Sequence, residues 1–479
     1  MASDSAPPSG EKAEDDRAVA RVLAAIVGDA DRRRGGPDGR PAQFRLSEVR
    51  GRLLRDRVFQ DPSRLLARLR RRGFLEEIPD GRSDRIYLVR APGELRRQLW
   101  SDAEPADRIH PVPDEAEEIR AMDTEFFHAL RDLLDHRLEA TLEFGRSFSI
   151  DALTAYLREL FGEELYPDSL LALLQQYALS DVPLMAPTGR VTGATGFHLA
   201  LFGPPGTGKT FSIDDLIRGN SRTGVPPHGL PGRNRYCGGI TPVQFLHVGA
   251  AYTGRTFNFI VPEFNDWFKY RGMVEPLKLV MEQREVKWET TLGTVGPYTF
   301  RSFFTVNYNV RTDGGSDYWT TISDPNFAAL EDRMLLRFHP MTRARFRAVE
   351  ESAERLELGE ISFDLSGKIR DHLLLVHAIQ TGHPLVSGRF SPRPIRLDRR
   401  LYDRLREVSE KGLARSELPN FSPRLKSRAV KLAASAGLLA FFEQPTGAGV
   451  DLGDREIEFA RRFYESEIDV RTGRRGHGG

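Results

Sequence analysis

The sequence predicts a multi-domain α/β protein with a parallel sheet at its centre and helical regions to either side. Three observations predict it. The apolar run Phe197 to Phe202 enters a glycine-rich loop and then the apolar-periodic run Phe211 to Ile217, the strand–loop–helix order of a parallel sheet. Two later apolar runs, Thr256 to Val261 and Phe303 to Asn307, each end in polar residues where a buried strand would emerge. At 479 residues the chain is long enough for about three domains, with ample core in the largest.

Composition narrows the possibilities. With 69 basic and 68 acidic residues the net charge is +1, so affinity for nucleic acid has to come from local patches. The single cysteine, Cys237, excludes an intramolecular disulfide and a cysteine-cluster metal site, and suits a reducing, cytoplasmic setting. The longest apolar run, near Leu432 to Phe442, is too short to span a membrane, and the N-terminus has no signal-peptide core, so no membrane association is expected.

From the N-terminus, residues 1–16 are polar and Pro/Gly/Ser-rich and are expected to be a disordered tail, as are residues 471–479. Residues 17–92 read as one domain. Helical periodicity covers Arg17 to Val27, Leu46 to Leu54 and Pro62 to Arg72, the last with Leu65, Leu66 and Leu69 inward. Strands Phe74 to Ile78 and Arg85 to Val89 follow, around the turn Pro79 to Asp84. Three helices and a two-stranded wing resemble a winged helix-turn-helix with its third helix in the recognition position. Arg45 to Arg72 holds ten arginines. Arg64, Arg68 and Arg71, with Arg72, lie on the polar side of the third helix and are the candidates for contact with duplex DNA; a solvated face or a protein-docking module is the alternative.

Residues 93–114 are rich in Pro and charge and read as a linker, and 115–180 as a helical connector with no chemistry of its own. Next, Gly203, Pro204, Pro205, Gly206, Thr207, Gly208, Lys209 and Thr210 fit the phosphate-loop pattern G-x-x-x-x-G-K-[ST] at every position. The glycines allow successive N–H groups to cradle a triphosphate, Lys209 adds a cation for the β and γ phosphates, and Thr210 offers a hydroxyl to Mg²⁺. ATP and Mg²⁺ are the expected ligands. Pro242 to Val248 is expected to be a strand, and Thr256 to Val261 ends in Pro262 and Glu263, where a Walker B acid pair would stand. Glu263 takes the water-activating position, Pro262 replaces the first acid, and Asp266 is a weak substitute.

Met273 to Glu285 reads as a helix, and Val286 to Thr291 with Tyr298 to Phe300 as a hairpin around Gly293 to Pro297. The strand Phe303 to Asn307 ends in a polar residue able to orient water, with Asn309 as the competitor. Arg333 precedes the strand Met334 to Phe338 and is expected to point out of its own subunit to complete a neighbour's site, or else to be a helix-end cation. From Thr342 onward the chain reads as helical. Ser422 and Pro423 start a long apolar helix that carries Arg424 near its first turn.

Taken together, these residues resemble an AAA+ ATPase, and more narrowly the group with a pre-sensor-1 hairpin that includes MoxR-type ATPases and minichromosome maintenance helicases. The resemblance covers about Gly193 to Tyr464. It implies a P-loop AAA+ core over 193–341 and a helical lid over 342–470. It also implies Glu263 as water activator, Asn307 as sensor 1, Arg333 as arginine finger, Arg424 as sensor 2, and a ring oligomer, a hexamer in this group. The expected hairpin tip, Thr291 to Thr294, lacks the lysine that helicases present to DNA, although Lys287 and Trp288 lie on the first strand. Three functions follow as expectations: a DNA-associated helicase-like or remodelling motor, a MoxR-like chaperone acting on a protein client, or a nucleotide switch whose turnover Pro262 impairs.

Overall fold

The computed structural model describes residues 42–55, 62–78, 84–90, 115–269, 272–282, 285–290, 293–309, 333–339, 341–414, 423–444 and 447–471, with 19–20, 22–27, 30, 95 and 99. The chain divides into two compact units, Met1–Pro113 and Asp114–Gly479. Both tails, nearly all of the 93–114 linker, the turn tip 79–83, residues 291–292, 310–332 and 415–422 lie outside the described residues.

In the first unit residues 22–27 are helical. Strand β1 (Gln43–Arg45) leads into helix α1 (Leu46–Arg55), then α2 (Ser63–Arg71), β2 (Leu75–Ile78) and β3 (Ile86–Val89). The strands form an antiparallel sheet in the order β1-β3-β2, with Phe44 opposite Tyr87 and Leu75 opposite Val89. Leu65, Leu66 and Leu69 are buried with Leu23, Ile26, Val49 and Leu53, so the inward stripe of α2 is the one its periodicity predicts. Strand β1 escaped the sequence reading because three residues are too few to show alternation.

The second unit begins with α3 (Glu115–His136), α4 (Leu138–Ser147) and the long α5 (Ile150–Ala178). Ser149 caps α5 by accepting from the Ala152 N–H at 3.3 Å. Gly162, at φ 71°, breaks the helix in two, and Pro167 falls near the start of the second segment, where a missing N–H costs least. Short strands β4 (Pro183–Met185) and β5 (Val191–Ala194) precede β6 (His198–Gly203). The chain continues through a helix α6, whose wide first turn Phe211–Asp215 runs into Leu216–Arg218, then β7 (Asn234–Tyr236), α7 (Pro242–Ala251), β8 (Asn258–Val261), α8 (Val274–Met281), β9 (Glu285–Thr290), β10 (Gly293–Thr299), β11 (Phe303–Asn309) and β12 (Met334–Phe338).

Five of these strands make a parallel sheet in the order β12-β6-β11-β8-β7. Every residue of β6 is buried, as a strand covered on both faces must be. Its alternation sorts the two cores: Leu199 and Leu201 pack with α5 and the C-terminal helices, while Ala200 and Phe202 pack with α7, α8 and the aromatic cluster of Phe245, Phe259, Trp267 and Phe304.

Three expectations need correction. Pro242 to Val248 is helical: the Thr241 hydroxyl accepts from the Gln244 N–H at 3.4 Å, Pro242 occupies the first turn, and Phe245, Leu246, Val248 and Gly249 form the buried face. The hairpin is longer than its apolar residues suggest, because β9 and β10 pair from Gly293 opposite Thr290 to Thr299 opposite Glu285. Gly296 and Pro297 lie inside β10 at a register shift, and a Cβ on Gly296, at φ 96°, would stand 2.2 Å from the Val286 carbonyl oxygen. The C-terminal region is not wholly helical. It contains α9 (Arg343–Glu357), α10 (Ser366–Gln380), α11 (Pro384–Ser387), α12 (Arg399–Leu413), α13 (Pro423–Gly437) and α14 (Asp454–Arg471), but β13 (Ile395–Arg396) and β14 (Val450–Asp451) join β4 and β5 in a second sheet, order β14-β13-β4-β5.

Candidate functional site

The glycine loop leaves β6 at its carboxyl end, where ligands of open parallel sheets sit. Gly203 is obligatory: a Cβ there would lie 2.3 Å from the His339 carbonyl oxygen, and its φ is 153°. Lys209 is buried and folded back into the loop. Its Nζ donates to the carbonyls of Gly203 at 3.0 Å and Pro204 at 2.6 Å and to the Thr207 hydroxyl at 3.0 Å. Burial, reinforced by the Arg345 charge, pushes the Lys209 ammonium down to about 8. The loop thus holds a desolvated cation that an anion would relieve.

The neighbouring strands deliver the polar residues. Pairing of β11 with β6 sets Asn307 opposite Leu201 and Asn309 opposite Gly203, and β8 delivers Pro262 and Glu263 from the other side of β11. The Asn307 Nδ2 donates to the Thr210 hydroxyl at 3.1 Å, while its buried Oδ1 has no hydrogen-bond partner among the described residues. The Asn309 Nδ2 donates to the exposed Glu263 carboxylate at 2.9 Å. Asn265 fixes Asn309 from both sides, its Oδ1 accepting from the Asn309 N–H and its Nδ2 donating to the Asn309 carbonyl, each at 2.7 Å. Asp266 pairs with Lys269 at 2.6 Å. Asn307 and Asn309, alternatives in the sequence, thus stand on separate partners: one on the loop threonine, the other on the glutamate.

Behind the loop lies a charged cluster that the sequence reading missed. Arg345, at the start of α9, donates to the Thr207 carbonyl from Nε at 3.0 Å and from Nη2 at 2.8 Å, to the Glu164 carbonyl at 3.0 Å, and to the Asp168 carboxylate at 2.6 Å. Asp168 also faces His339 Nε2 at 3.3 Å and Arg337 Nε at 3.6 Å, and Arg337 faces Glu467 at 3.9 Å. Burial and the surrounding cations hold His339 well below the usual histidine range, so it is neutral at pH 7.

The remaining candidates lie elsewhere. Arg333 precedes β12, whose first residue pairs with His198 at the far end of β6 from the glycine loop. Its guanidinium donates to Glu282 of the same chain, so in this structure it is turned inward. Arg424 is exposed in the first turn of α13. In the first unit Arg71 is exposed and Arg68 half-buried on α2, the Arg64 side chain lies outside the described residues, and the neighbouring Arg70 is tied to Glu77.

No protein-family model and no curated protein matches this chain. What the site can hold is read from its own donors. Among the described residues no cluster of three or more His, Cys, Asp or Glu could hold a metal. By their chemistry Thr210, Glu263 and the Asn307 Oδ1 would suit a Mg²⁺ that takes most of its ligands from phosphate and water, as this ion does. The buried Pro262 contributes nothing to such a shell.

Proposed function

We propose that the protein is an ATP-binding AAA+ ATPase that acts as a ring oligomer, and that its first unit is a winged helix directing it to duplex DNA. The supporting observation is the convergence of Lys209 and Thr210, Asn307 and Glu263 from three separate stretches on the carboxyl end of one parallel sheet. Lys209 would turn from the loop carbonyls to the β and γ phosphates, and the loop N–H groups would take the oxygens. Thr210 would hold Mg²⁺, which screens the phosphate charge. Asn307 would orient water, and Glu263, released from Asn309, would accept its proton. Arg333 would have to leave Glu282 to serve a neighbouring subunit, and Arg424 would reach the phosphates from the lid over 342–470.

One observation favours a second reading, a nucleotide switch with weak turnover: Pro262 occupies the place of the first acid and Glu263 is held by Asn309. The deciding measurement is ATP hydrolysis by the full chain with and without duplex DNA. Stimulation by DNA is expected for the motor, dependence on a protein client for a MoxR-like chaperone, and tight ATP binding without turnover for the switch. Replacing Arg64, Arg68 and Arg71 together with alanine should weaken DNA binding broadly across sequences and flatten its salt dependence by about one unit of slope per lost phosphate contact. An unchanged salt plot would remove DNA from the proposal.

A further inference from the structure

At the amino end of the parallel sheet, the end opposite the glycine loop, the second unit carries a recess of about 510 Å³ lined by Phe126, Phe127 and His128 of α3, Arg233 just before β7 and His383 just before α11. That volume falls within the roughly 300–1,000 Å³ of small-molecule sites. Arg233 is placed by its own backbone, whose carbonyl accepts from the N–H of Asn258, the first residue of β8, at 2.8 Å. Its guanidinium lies over the Phe126 ring at 4.2 Å, and the side chain is only 16 % exposed. Nη1 donates to the Asp123 carboxylate at 3.1 Å and to the Gly232 carbonyl at 2.9 Å, while Nε and Nη2 make no hydrogen bond among the described residues. The edge formed by those two nitrogens is one that can grip a carboxylate or phosphate with two parallel hydrogen bonds.

Charge around the recess is unbalanced. Asp123 also accepts from Arg255, so two guanidinium groups share one carboxylate, and the nearby Glu125 is taken by Arg370 at 3.6 Å. The histidines packed on Phe126 add no charge at pH 7: burial, then the Arg233 cation, hold His383 below the usual histidine range, and burial pushes His377 down to about 3. His383 still supplies a donor. Its Nδ1 accepts from the Leu385 N–H at 3.3 Å, so the proton of the neutral ring sits on Nε2, which has no partner among the described residues. Phe127, 38 % exposed, gives the recess an apolar wall. We infer that this recess binds a small organic anion, an aromatic carboxylate or phosphate monoester, with its anionic group on Arg233 and His383 and its ring against Phe126 and Phe127. The site is separate from the glycine loop and stands whether or not that loop holds a nucleotide.

Calorimetric titration of phenyl phosphate, inorganic phosphate and benzylamine into the full chain at neutral pH tests the site. The titrations are run on wild type and on Lys209→Ala, a background that removes the glycine loop's own claim on phosphate. In that background phenyl phosphate should bind saturably with a Kd of about 1 mM or tighter, and inorganic phosphate about tenfold more weakly for want of the ring. Benzylamine, of like shape and opposite charge, should not bind. Adding Arg233→Lys keeps the charge but loses the two-nitrogen edge and should weaken phenyl phosphate by about tenfold. Phe127→Ala and His383→Ala alter side chains that are not fully buried and should each weaken it by about threefold in a folded protein, so they decide the matter if position 233 does not tolerate lysine. Absence of saturation by about 20 mM phenyl phosphate in the Lys209→Ala background overturns the inference. So does unchanged affinity in the Arg233, Phe127 and His383 variants, or binding of benzylamine as tight as that of phenyl phosphate.

Discussion

The two ends of the parallel sheet carry two buried polar networks of opposite kinds, and α5 contributes to both. At the amino end Gln175 donates to Asn258, Gln176 exchanges hydrogen bonds with Asn234, Asn258 donates to Asn234, and the Thr305 hydroxyl donates to Asn258, all between 2.7 and 3.0 Å. The Gln176 Oε1 also accepts from the Leu230 N–H. Every member is neutral. At the carboxyl end the network is built of ionisable side chains, Lys209, Arg345, Asp168, Arg337 and Glu467, and Asp168 Oδ1, Arg337 Nε, His339 Nε2 and Asn307 Oδ1 are buried without a hydrogen-bond partner among the described residues. A closed set of neutral amides fixes strand register at small electrostatic cost, whereas an open set of charges retains free energy that a ligand can release. On the proposed function, one end of the sheet secures the fold and the other serves the ligand.

The comparison predicts a double dissociation. The largest expected effect is at the neutral end: Asn258→Leu strands Gln175, Asn234 and Thr305 together and should cost about 3 kcal/mol in denaturant unfolding. Nucleotide affinity of the molecules that remain folded should not change. Glu263→Gln should do the reverse, lowering turnover about a hundredfold while unfolding stays within about 0.5 kcal/mol of wild type. Intact turnover in this variant would move the proton acceptor elsewhere, with Asp266 next in sequence. The smallest effect is expected from Thr305→Val, which removes one donor to Asn258 while Gln175 still supplies another. A loss of about 1 kcal/mol fits that redundancy, and a loss equal to that of Asn258→Leu would mean that the network works as an indivisible unit.

The two ends were also unequally legible. The place of Lys209 and Thr210 at the carboxyl end of β6 could be read because the Gly203–Thr210 pattern is contiguous and directly follows an apolar strand. The places of Glu263, just past β8, and Asn307, in the last stretch of β11's pairing with β6, could be read because buried apolar runs locate the end of the sheet. Asp168, Arg337, His339 and Arg345 left no such trace, since a helix, a strand, a strand end and a helix start supply one residue each. The only hint was Asp168 and Ser169 set among apolar residues of α5, with a proline just before them. The amide network was hidden for the same reason. Of the secondary structure, β4, β5, β13 and β14 are two to four residues long and carry no period. The helix α7 was misread because its apolar residues outweighed the Thr241–Pro242 start signal.

Asp168 and Gln175 are seven residues apart in the second segment of α5. Two turns of α-helix bring a side chain back to within about 20° of its starting direction, so both residues share one face. That phase is the reason a single helix can serve both ends of the sheet. Inserting or deleting one residue between them would rotate one relative to the other by about 100°, and no rotamer change could recover both partners. The chain length between Asp168 and Gln175 is thereby frozen by geometry, even where the intervening side chains are free to vary.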